Sequence, residues 1–300
     1  MMEAPRFSGS IPALVTPFRG GAVDEAALAA LIDWQIGEGS SALVPCGTTG
    51  EAATLSIAEH DHVVRLTVAA AAGRVPVIAG CGSNDTQAAL DHMLAAKEAG
   101  ASAALVVCPY YNKPSQAGLA AHFELLAERG GLPVILYNIP GRSVVDMATA
   151  TMAALARHPA IIGVKESTGD LGRISAIRHH CGHDFQILSG NDDMTLGILA
   201  QGGVGAISVT ANVAPRLCAD LAAAAARGDY VHALAVNDRL WPLHSALFSD
   251  ASPAPVKHAL ARLGRMAADV RLPLVAASAA SRAAVEAAMM HAGLTGGGGA

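Results

Sequence analysis

The chain has few aromatic residues, few charges and few cysteines, and each shortage limits what the protein can be. Aromatic side chains make up 4% of its 300 residues and charged side chains 15%, whereas 52% are apolar. The five cysteines are widely scattered without a Cys-x-x-Cys pair, which is typical of reduced thiols in a cytoplasmic protein. No run of 18 apolar residues and no N-terminal apolar stretch of signal-peptide length occurs, so neither a membrane span nor a signal peptide is expected.

The charge balance is mildly acidic, with 25 acidic and 20 basic residues and a formal net charge of −5. Because no basic run and no interleaving of basic with aromatic residues occurs, nucleic acid is not expected as a partner. The length and the apolar content allow a sizeable core. Two domains would fit this length, but α/β barrels of about 250 residues commonly form one.

Eight short apolar segments alternate along the chain with stretches of helical periodicity. The predicted strands are Ser10–Phe18, Ala42–Gly47, Val75–Gly80, Ala103–Cys108, Pro133–Asn138, Ile161–Thr168, Phe185–Ser189 and Gly205–Thr210. The helices between them are predicted to begin near Asp24, Ser56, Thr86, Ser115, Asp146, Leu171 and Met194. The alternation predicts a parallel sheet, and eight units without a Rossmann-type start favour a closed (β/α)8 TIM barrel over an open doubly wound sheet.

The pattern changes after Gly228. Helical patterns over Asp229–Phe248, Pro255–Leu263 and Ser278–Ala292 follow one another without a strand between them. We therefore expect an α/β barrel domain over residues 1–228 and a small all-helical C-terminal extension over residues 229–294. The closing residues 295–300 are rich in glycine with nothing to pack, and are expected to form a flexible tail.

Lys165 lies in the sixth predicted strand, within the sequence Ile161-Ile-Gly-Val-Lys-Glu-Ser-Thr168. A lysine inside a buried strand is costly, and desolvation lowers its pKa, which makes the amine a usable nucleophile. The ordinary alternative is a lysine just past the strand end that extends to solvent. Strand alternation places Lys165 on the face opposite its two neighbours, which favours the interior of the barrel.

The loops after the strands are expected to carry the active site, because barrels of this kind place it at the carboxyl ends of their strands. After the second strand, glycines flank two hydroxyls in Gly47-Thr48-Thr49-Gly50, so backbone N–H groups and threonine side chains can bind an anion. An ordinary glycine-rich turn is the alternative.

Three of the chain's four tyrosines fall at rim positions of the predicted barrel. Tyr110 and Tyr111 follow the fourth strand and Tyr137 lies near the end of the fifth. Phenols can relay protons, and Arg142 in the next loop is suited to bidentate capture of a carboxylate, unless it is a solvated surface residue. An amine, an anion-binding turn and phenols together are the components of Schiff-base chemistry.

These motifs occur in the order and spacing of a known family. They are Gly47-Thr-Thr-Gly-Glu51, Tyr110-Tyr-Asn-Lys-Pro114, Tyr137-Asn-Ile-Pro-Gly-Arg142, Gly163-Val-Lys-Glu-Ser167, Ser189-Gly-Asn-Asp192 and Gly205-Ala-Ile-Ser-Val-Thr-Ala-Asn212. The chain from about Ile11 to Leu274 resembles the dihydrodipicolinate synthase/N-acetylneuraminate lyase family. Within it, Thr48-Thr49 and Tyr111 resemble the synthase branch, as do Pro255-Val-Lys257 and Arg271-Leu-Pro-Leu274.

The resemblance implies a Schiff-base condensation of pyruvate with L-aspartate 4-semialdehyde, in the diaminopimelate and lysine biosynthesis pathway. Lys165 would form the imine. Tyr137, Thr49 and Tyr111 would form a proton relay, with Tyr111 contributed across a dimer interface. The enzyme would be a homotetramer built as a dimer of dimers, without a metal or other cofactor.

Substrate-binding residues follow from the same resemblance. Thr48 and Thr49 would hold the pyruvate carboxylate, Gly190 and Ile207 would line the pocket through backbone groups, and Arg142 would bind the carboxylate of the semialdehyde. A near alternative is a Schiff-base lyase of the same family that acts on 2-oxo-3-deoxy sugar acids. An alternative from another functional class is a non-catalytic barrel that senses oxo-acids.

A lysine-regulated member of the family is expected to carry an allosteric site, and here the match is partial. His60, Asn84 and Tyr110 fit that pattern, but Ile57 replaces a basic or polar residue and Ala88 an acidic one. Because a charge-assisted hydrogen bond is worth roughly 1.5–3 kcal/mol, we expect weak or absent feedback by lysine. The histidines in His179-His-Cys-Gly-His183 lie at a helix end and are not expected to bind metal.

Overall fold

The computed structural model describes residues 5–294, in which a parallel sheet is surrounded by helices. The strands of this sheet are β1 (Gly9–Pro12), β4 (Ile78–Gly80), β5 (Ala103–Val107), β6 (Val134–Asn138), β7 (Ile161–Glu166), β8 (Gln186–Ser189) and β9 (Gly205–Ser208), and a hairpin of β2 (Phe18–Arg19) and β3 (Ala22–Val23) precedes the first helix. The sheet order is β1-β9-β8-β7-β6-β5-β4, with every neighbouring pair parallel.

Residues 42–45, part of the second predicted strand (Ala42–Gly47), close the ring between β1 and β4. Val44 N donates to Pro12 O at 3.0 Å on one side, and Leu43 N donates to Pro76 O at 3.0 Å on the other. The contact consists of isolated parallel bridges rather than a long ladder, because Pro45 and Pro76 have no N–H to donate. The predicted eight-stranded barrel is therefore confirmed.

Helices follow the strands as the alternation predicts. They are α1 (Glu25–Gly37), α2 (Ile57–Ala71), α3 (Thr86–Glu98), α4 (Gln116–Arg129), α5 (Pro140–Ser143), α6 (Thr149–Leu155), α7 (Leu171–Cys181), α8 (Thr195–Ala200), α9 (Pro215–Ala226), α10 (Tyr230–Ala246), α11 (Ala254–Arg262) and α12 (Ala279–His291). Side-chain caps mark several starts: Asp24, Ser56, Asp85 and Ser115 each accept a hydrogen bond from the first turn that follows. None of the helices within residues 5–294 has both the length and the apolar character needed to span a bilayer.

Several predicted boundaries were wrong by two or more residues, and two of them have a clear structural cause. The first strand ends at Pro12, and Phe18 instead pairs with Val23 in the short hairpin, whose turn is made by two glycines at positive φ. The helix predicted from Asp146 begins at Thr149, because Asp146 accepts a hydrogen bond from Asn138 Nδ2 at 2.8 Å and stays in the loop.

Side chains alternate between the barrel interior and the surrounding helices. The interior cluster includes Ile11, Val44, Ile78, Leu105, Ile135, Tyr137, Leu188 and Ile207, whereas Val164 belongs to the outer core under the helices. Lys165 follows Val164 and so faces inward, as the alternation predicts.

Helices α10, α11 and α12 come after the barrel with no strand between them, in agreement with the predicted helical extension. The division into domains at residues 228 and 229 stays a prediction, and the expected tail over residues 295–300 lies outside the described residues. Two ion pairs within residues 5–294 join the extension to the barrel: Lys257 pairs with Glu51, and Arg271 pairs with Glu59.

Candidate active site at the carboxyl end of the barrel

Lys165 stands in the barrel interior beside Tyr137. Strand register places it opposite Tyr137 of β6 on one side and Leu188 of β8 on the other, and only 5% of its surface is exposed. Its Nζ lies 4.2 Å from the centroid of the Tyr137 ring, a cation–π distance. The adjacent Glu166 pairs with Arg173 on the outer side at 3.2 Å. No carboxylate within residues 5–294 forms an ion pair with the Lys165 amine.

Gly190, at the end of β8, leaves the room that the lysine occupies. A Cβ at this position would come within 3.0 Å of Lys165 Cε and 1.9 Å of Ser167 Oγ. Ser167 Oγ is buried and has no hydrogen-bond partner in the described part of the chain. Sequence reasoning missed this hydroxyl, although its place two residues after the lysine puts it on the same face of the strand.

The threonine turn, residues 47–51, lies at the rim and is fixed by two backbone hydrogen bonds. Gly50 N donates to Gly47 O and Glu51 N donates to Thr48 O, each at 3.1 Å. The N–H groups of Thr48 and Thr49 form no hydrogen bond within residues 5–294, so both are available to an anion. Thr49 is buried and Thr48 is exposed in the single chain. Gly50 has no room for a side chain, because a Cβ would lie 3.0 Å from Leu14 O.

Tyr111 and Arg142 lie at the rim without reaching the interior of their own chain. Tyr111 is 89% exposed and its φ of +71° is unusual for an aromatic residue. Arg142 is exposed on the one-turn helix α5. No hydrogen bond joins Tyr137, Thr49 and Tyr111 within the described part of a single chain. The structure therefore brings Lys165 and Tyr137 together and leaves Tyr111 pointing outward.

A buried polar network that the sequence did not predict fixes the ends of β6 and β7. Asn138 is fully buried, and its Nδ2 donates to Asp146 at 2.8 Å and to both Glu166 oxygens at 3.3 and 3.4 Å. Its Oδ1 accepts from Met147 N at 3.0 Å. Arg173 neutralises both carboxylates from helix α7. This network holds the strand ends that carry Tyr137 and Lys165.

The three residues expected at an allosteric site lie around the third strand and the loop after the fourth. His60 is buried and its Nε2 lies 2.7 Å from Gly80 O, while Asn84 O accepts from Asn112 Nδ2 at 2.8 Å. Tyr110 is 38% exposed. Ile57 is 70% exposed and its side chain is apolar, so position 57 offers no polar group to this region.

The pocket backbone expected at Gly190 and Ile207 is well ordered by hydrogen bonds. Gly190 N donates to Glu166 O at 2.8 Å, which leaves its carbonyl oxygen for other partners. Ile207 is fully buried in the interior cluster and pairs in register with Ile11 of β1. Just beyond it, Asp192 accepts hydrogen bonds from the N–H groups of Val209 and Thr210, each at 2.9 Å.

Comparison with known proteins connects this geometry to one family. The model of the dihydrodipicolinate synthetase family matches residues 6–292. A relative from Rhizorhabdus wittichii, named 4-hydroxy-tetrahydrodipicolinate synthase, is 63% identical over 289 residues, which cover 96% of this chain and 99% of the relative.

Solved structures agree with the sequence match. The dihydrodipicolinate synthase of Aquifex aeolicus superposes with a TM-score of 0.95 at 43% identity, covering 97% of this chain and 100% of that one. The chloride-inhibited dihydrodipicolinate synthase of Acinetobacter baumannii, solved in complex with pyruvate, gives 0.94 at 41% identity, covering 96% of this chain and 99% of that one.

Proposed function

Because this chain belongs to the dihydrodipicolinate synthetase family, we propose that it condenses pyruvate with L-aspartate 4-semialdehyde to give 4-hydroxy-tetrahydrodipicolinate, in diaminopimelate and lysine biosynthesis. The observation that carries the proposal is the Lys165 amine, which is 5% exposed and stands inside the barrel beside Tyr137. A lone amine at the carboxyl end of a barrel is suited to imine formation with a small oxo-acid.

The Lys165 amine attacks C2 of pyruvate, and loss of water gives the imine. The cationic nitrogen withdraws electrons from C2, so a methyl proton leaves and an enamine forms. The enamine carbon attacks the aldehyde of the second substrate and creates the new carbon–carbon bond. The substrate's own amine then attacks C2, closes the ring and displaces Lys165, which returns to its starting state. Overall, one water leaves for each pair of substrates joined.

Tyr137, Thr49 and Tyr111 are proposed to move the protons that these steps require. The Tyr137 ring centroid lies 4.2 Å from the reacting amine, and 6% of the Tyr137 surface is exposed. Tyr111 is 89% exposed in the single chain, which fits a side chain that completes the site of a second copy. Tyr137→Phe removes one hydroxyl, and we expect it to fold normally and lose most turnover.

Substrate carboxylates are proposed to bind at two places. The unused N–H groups and the hydroxyls of Thr48 and Thr49 would hold pyruvate, with backbone groups of Gly190 and Ile207 on the opposite wall. Arg142 would take the carboxylate of the semialdehyde, because an exposed guanidinium at the rim can form a bidentate contact.

The assembly is proposed to be a homotetramer made of two dimers, with Tyr111 exchanged within each dimer. Its support is the outward placement of Tyr111 at positive φ, a strained conformation that a packed neighbour would stabilise. We propose a cytoplasmic location, since Cys46, Cys81, Cys108, Cys181 and Cys218 are all free thiols.

Borohydride trapping tests the chemistry directly. Pyruvate and borohydride together should leave a stable adduct on Lys165, found by mass spectrometry of the peptide that carries it. Lys165→Ala should lose both the adduct and turnover of the semialdehyde, whereas Lys97→Ala, an exposed lysine of helix α3, should keep both. An unmodified Lys165, or turnover of 2-oxo-3-deoxy sugar acids in place of the semialdehyde, would contradict the proposal.

A further inference from the structure

Three potential metal ligands converge between helices α2 and α3, away from the Schiff-base lysine. They are His60 and Asp61 of α2 and His92 of α3, and one ligand atom from each lies within 4.8 Å of the other two. This is the one group of three or more such side chains at metal-binding separation within residues 5–294. We propose that this cluster, the His60–Asp61–His92 site, binds a zinc ion.

The tautomer of His60 is determined by its surroundings. Its Nε2 lies 2.7 Å from the carbonyl oxygen of Gly80, which can only accept, so Nε2 carries a proton. In the neutral ring, Nδ1 then presents a lone pair toward the cluster. A metal-binding histidine is usually fixed in this way by a hydrogen bond from its other nitrogen to a carbonyl or carboxylate.

Two of the facing atoms, His60 Nδ1 and Asp61 Oδ1, are acceptors once His60 carries its proton on Nε2. His60 Nδ1 lies 3.3 Å from Asp61 Oδ1, and His92 Nδ1 lies 3.9 Å from the same oxygen. His92 Nδ1 is buried and has no hydrogen-bond partner in the described part of the chain. A divalent cation between them would relieve the repulsion of the His60 and Asp61 lone pairs and give His92 Nδ1 a partner.

The separations suit zinc, which takes imidazole nitrogen and carboxylate oxygen as ligands at about 2.0–2.2 Å. Two ligands on a tetrahedral zinc are then about 3.4 Å apart. The His60–Asp61 pair is already at 3.3 Å, and the His92–Asp61 pair needs a movement of roughly half an ångström. The two imidazole rings, with centroids 4.0 Å apart at 39°, would also turn so that both Nδ1 atoms meet the ion. His92 and Asp61 keep 18% and 22% of their side chains exposed, so solvent can reach the site and fill the fourth position.

Zinc binding at this place would affect the turn of the active site. The His60 carbonyl accepts a hydrogen bond from Cys46 Sγ at 3.6 Å, and Cys46 directly precedes the threonine turn. Gly80, the partner of the His60 ring, packs so closely on Cys46 that a Cβ there would lie 2.2 Å from Cys46 O. The site is therefore connected to the turn by direct contacts.

Zinc titration of the chelator-treated full-length chain tests the proposal, with equilibrium dialysis to count bound metal. We expect one zinc ion per chain and a higher melting temperature when it is bound. Asp61→Asn and His92→Gln should each weaken binding by more than about 100-fold, beyond the 10–100-fold typical for loss of an outer-sphere partner.

Two control variants separate this site from the other histidines. His62→Gln removes a neighbour that pairs with Glu25, and the triple change of His179, His180 and His183 to Gln removes the exposed histidines at the end of α7. Both controls should bind zinc as the parent does. Absence of stoichiometric binding, or loss of binding in the triple variant with retention in His92→Gln, would overturn the proposal. A further measurement replaces zinc with cobalt(II). A thiolate-to-cobalt charge-transfer band would show that a cysteine binds the metal and would overturn the proposed ligand set.

Discussion

Lys257 Nζ lies 2.5 Å from a carboxylate oxygen of Glu51, and neither side chain has more than 1% of its surface exposed. The ammonium also donates a hydrogen bond to Asp269 O at 2.8 Å. Burial lowers the pKa of Lys257, and Glu51 opposes that shift. The other oxygen of Glu51 accepts from Arg271 N at 2.9 Å. Since Glu51 ends the threonine turn, this pair connects the helical extension to the site.

Breaking this pair should therefore cost both stability and pyruvate binding. Removal of one partner of a buried ion pair leaves an uncompensated charge, which costs about 3–5 kcal/mol. We expect Lys257→Met to lower the free energy of unfolding by about that amount and to raise KM for pyruvate. Lys97→Met, on the exposed face of α3, is the matched control and should change neither.

The double variant Glu51→Gln/Lys257→Met tests whether the loss of stability in Lys257→Met comes from the unpaired charge on Glu51. Because it leaves no lone charge in the core, its loss of stability should be smaller than the sum of the two single losses. Urea denaturation of all four proteins measures this coupling. Additive losses would mean that the pair contributes through packing alone.

Mixing of two inactive variants tests whether Tyr111 acts in a neighbouring copy. Tyr111→Phe and Lys165→Ala should each be nearly inactive, but a dimer with one of each has one site with both groups intact. If chains exchange freely, half of the dimers are mixed and one site in two of these is complete, so roughly a quarter of wild-type activity should return. The measurement is turnover after co-refolding, with each variant alone as the control. If activity stays at the level of the single variants, Tyr111 does not work across the interface.

Lysine should inhibit this enzyme weakly. His60 already uses Nε2 on Gly80 O, Ile57 is 70% exposed, and Ala88 supplies no carboxylate for a ligand ammonium. We expect the Kd for lysine to lie above about 1 mM. At about 1 mM lysine, fewer than half of the sites are then occupied, and more than half of the activity should remain. Ala88→Glu should strengthen inhibition by restoring a charged partner. Strong inhibition of the wild-type enzyme below a millimolar would refute the expectation.

How far the sequence predicts the site depends on whether the signal is local. The inward face of Lys165 follows from strand alternation, and the threonine turn follows from Gly47 and Gly50 after a strand, so both were predictable. The Glu51–Lys257 pair joins residues 206 positions apart, and no local pattern shows which charges meet in the core. The Asn138 network depends in the same way on the packing of neighbouring strand ends.

Backbone strain at Val144, directly after the one-turn helix α5 that carries Arg142, leads to a prediction about stability. Val144 follows helix α5 with φ at +65°, where a β-branched residue is disfavoured by roughly 1–2 kcal/mol, and it is 65% exposed with little packing to lose. Val144→Gly should therefore keep or raise the free energy of unfolding by up to about 1 kcal/mol. The control Val231→Gly, exposed at the start of α10, should lower it by about 0.5–1 kcal/mol. Equal losses in both variants, measured by urea denaturation, would mean that Val144 is not strained.

Acid sensitivity should come in part from His122, which is buried between α3 and α4. Its Nδ1 lies 2.9 Å from Thr86 Oγ1, its Nε2 has no partner in the described part of the chain, and burial lowers its pKa to about 4. Below its ordinary pKa near 6.5 the unfolded chain takes up a proton that the folded chain refuses. The contribution of the neutral His122 ring to the free energy of unfolding is thus fully present above pH 6.5 and is lost as the pH falls toward 4.

His122→Asn should remove this dependence while keeping an acceptor for Thr86. Between pH 7.5 and pH 4.5, the wild-type protein should lose about 2 kcal/mol more unfolding free energy than the variant, since each pKa unit is worth about 1.4 kcal/mol. His183→Gln, at an exposed histidine, should follow the wild-type curve. Denaturation at several pH values measures the slopes, and an NMR titration of His122 measures its pKa. A value near 6.5, or parallel curves for wild type and His122→Asn, would show that the buried ring is protonated in the folded state.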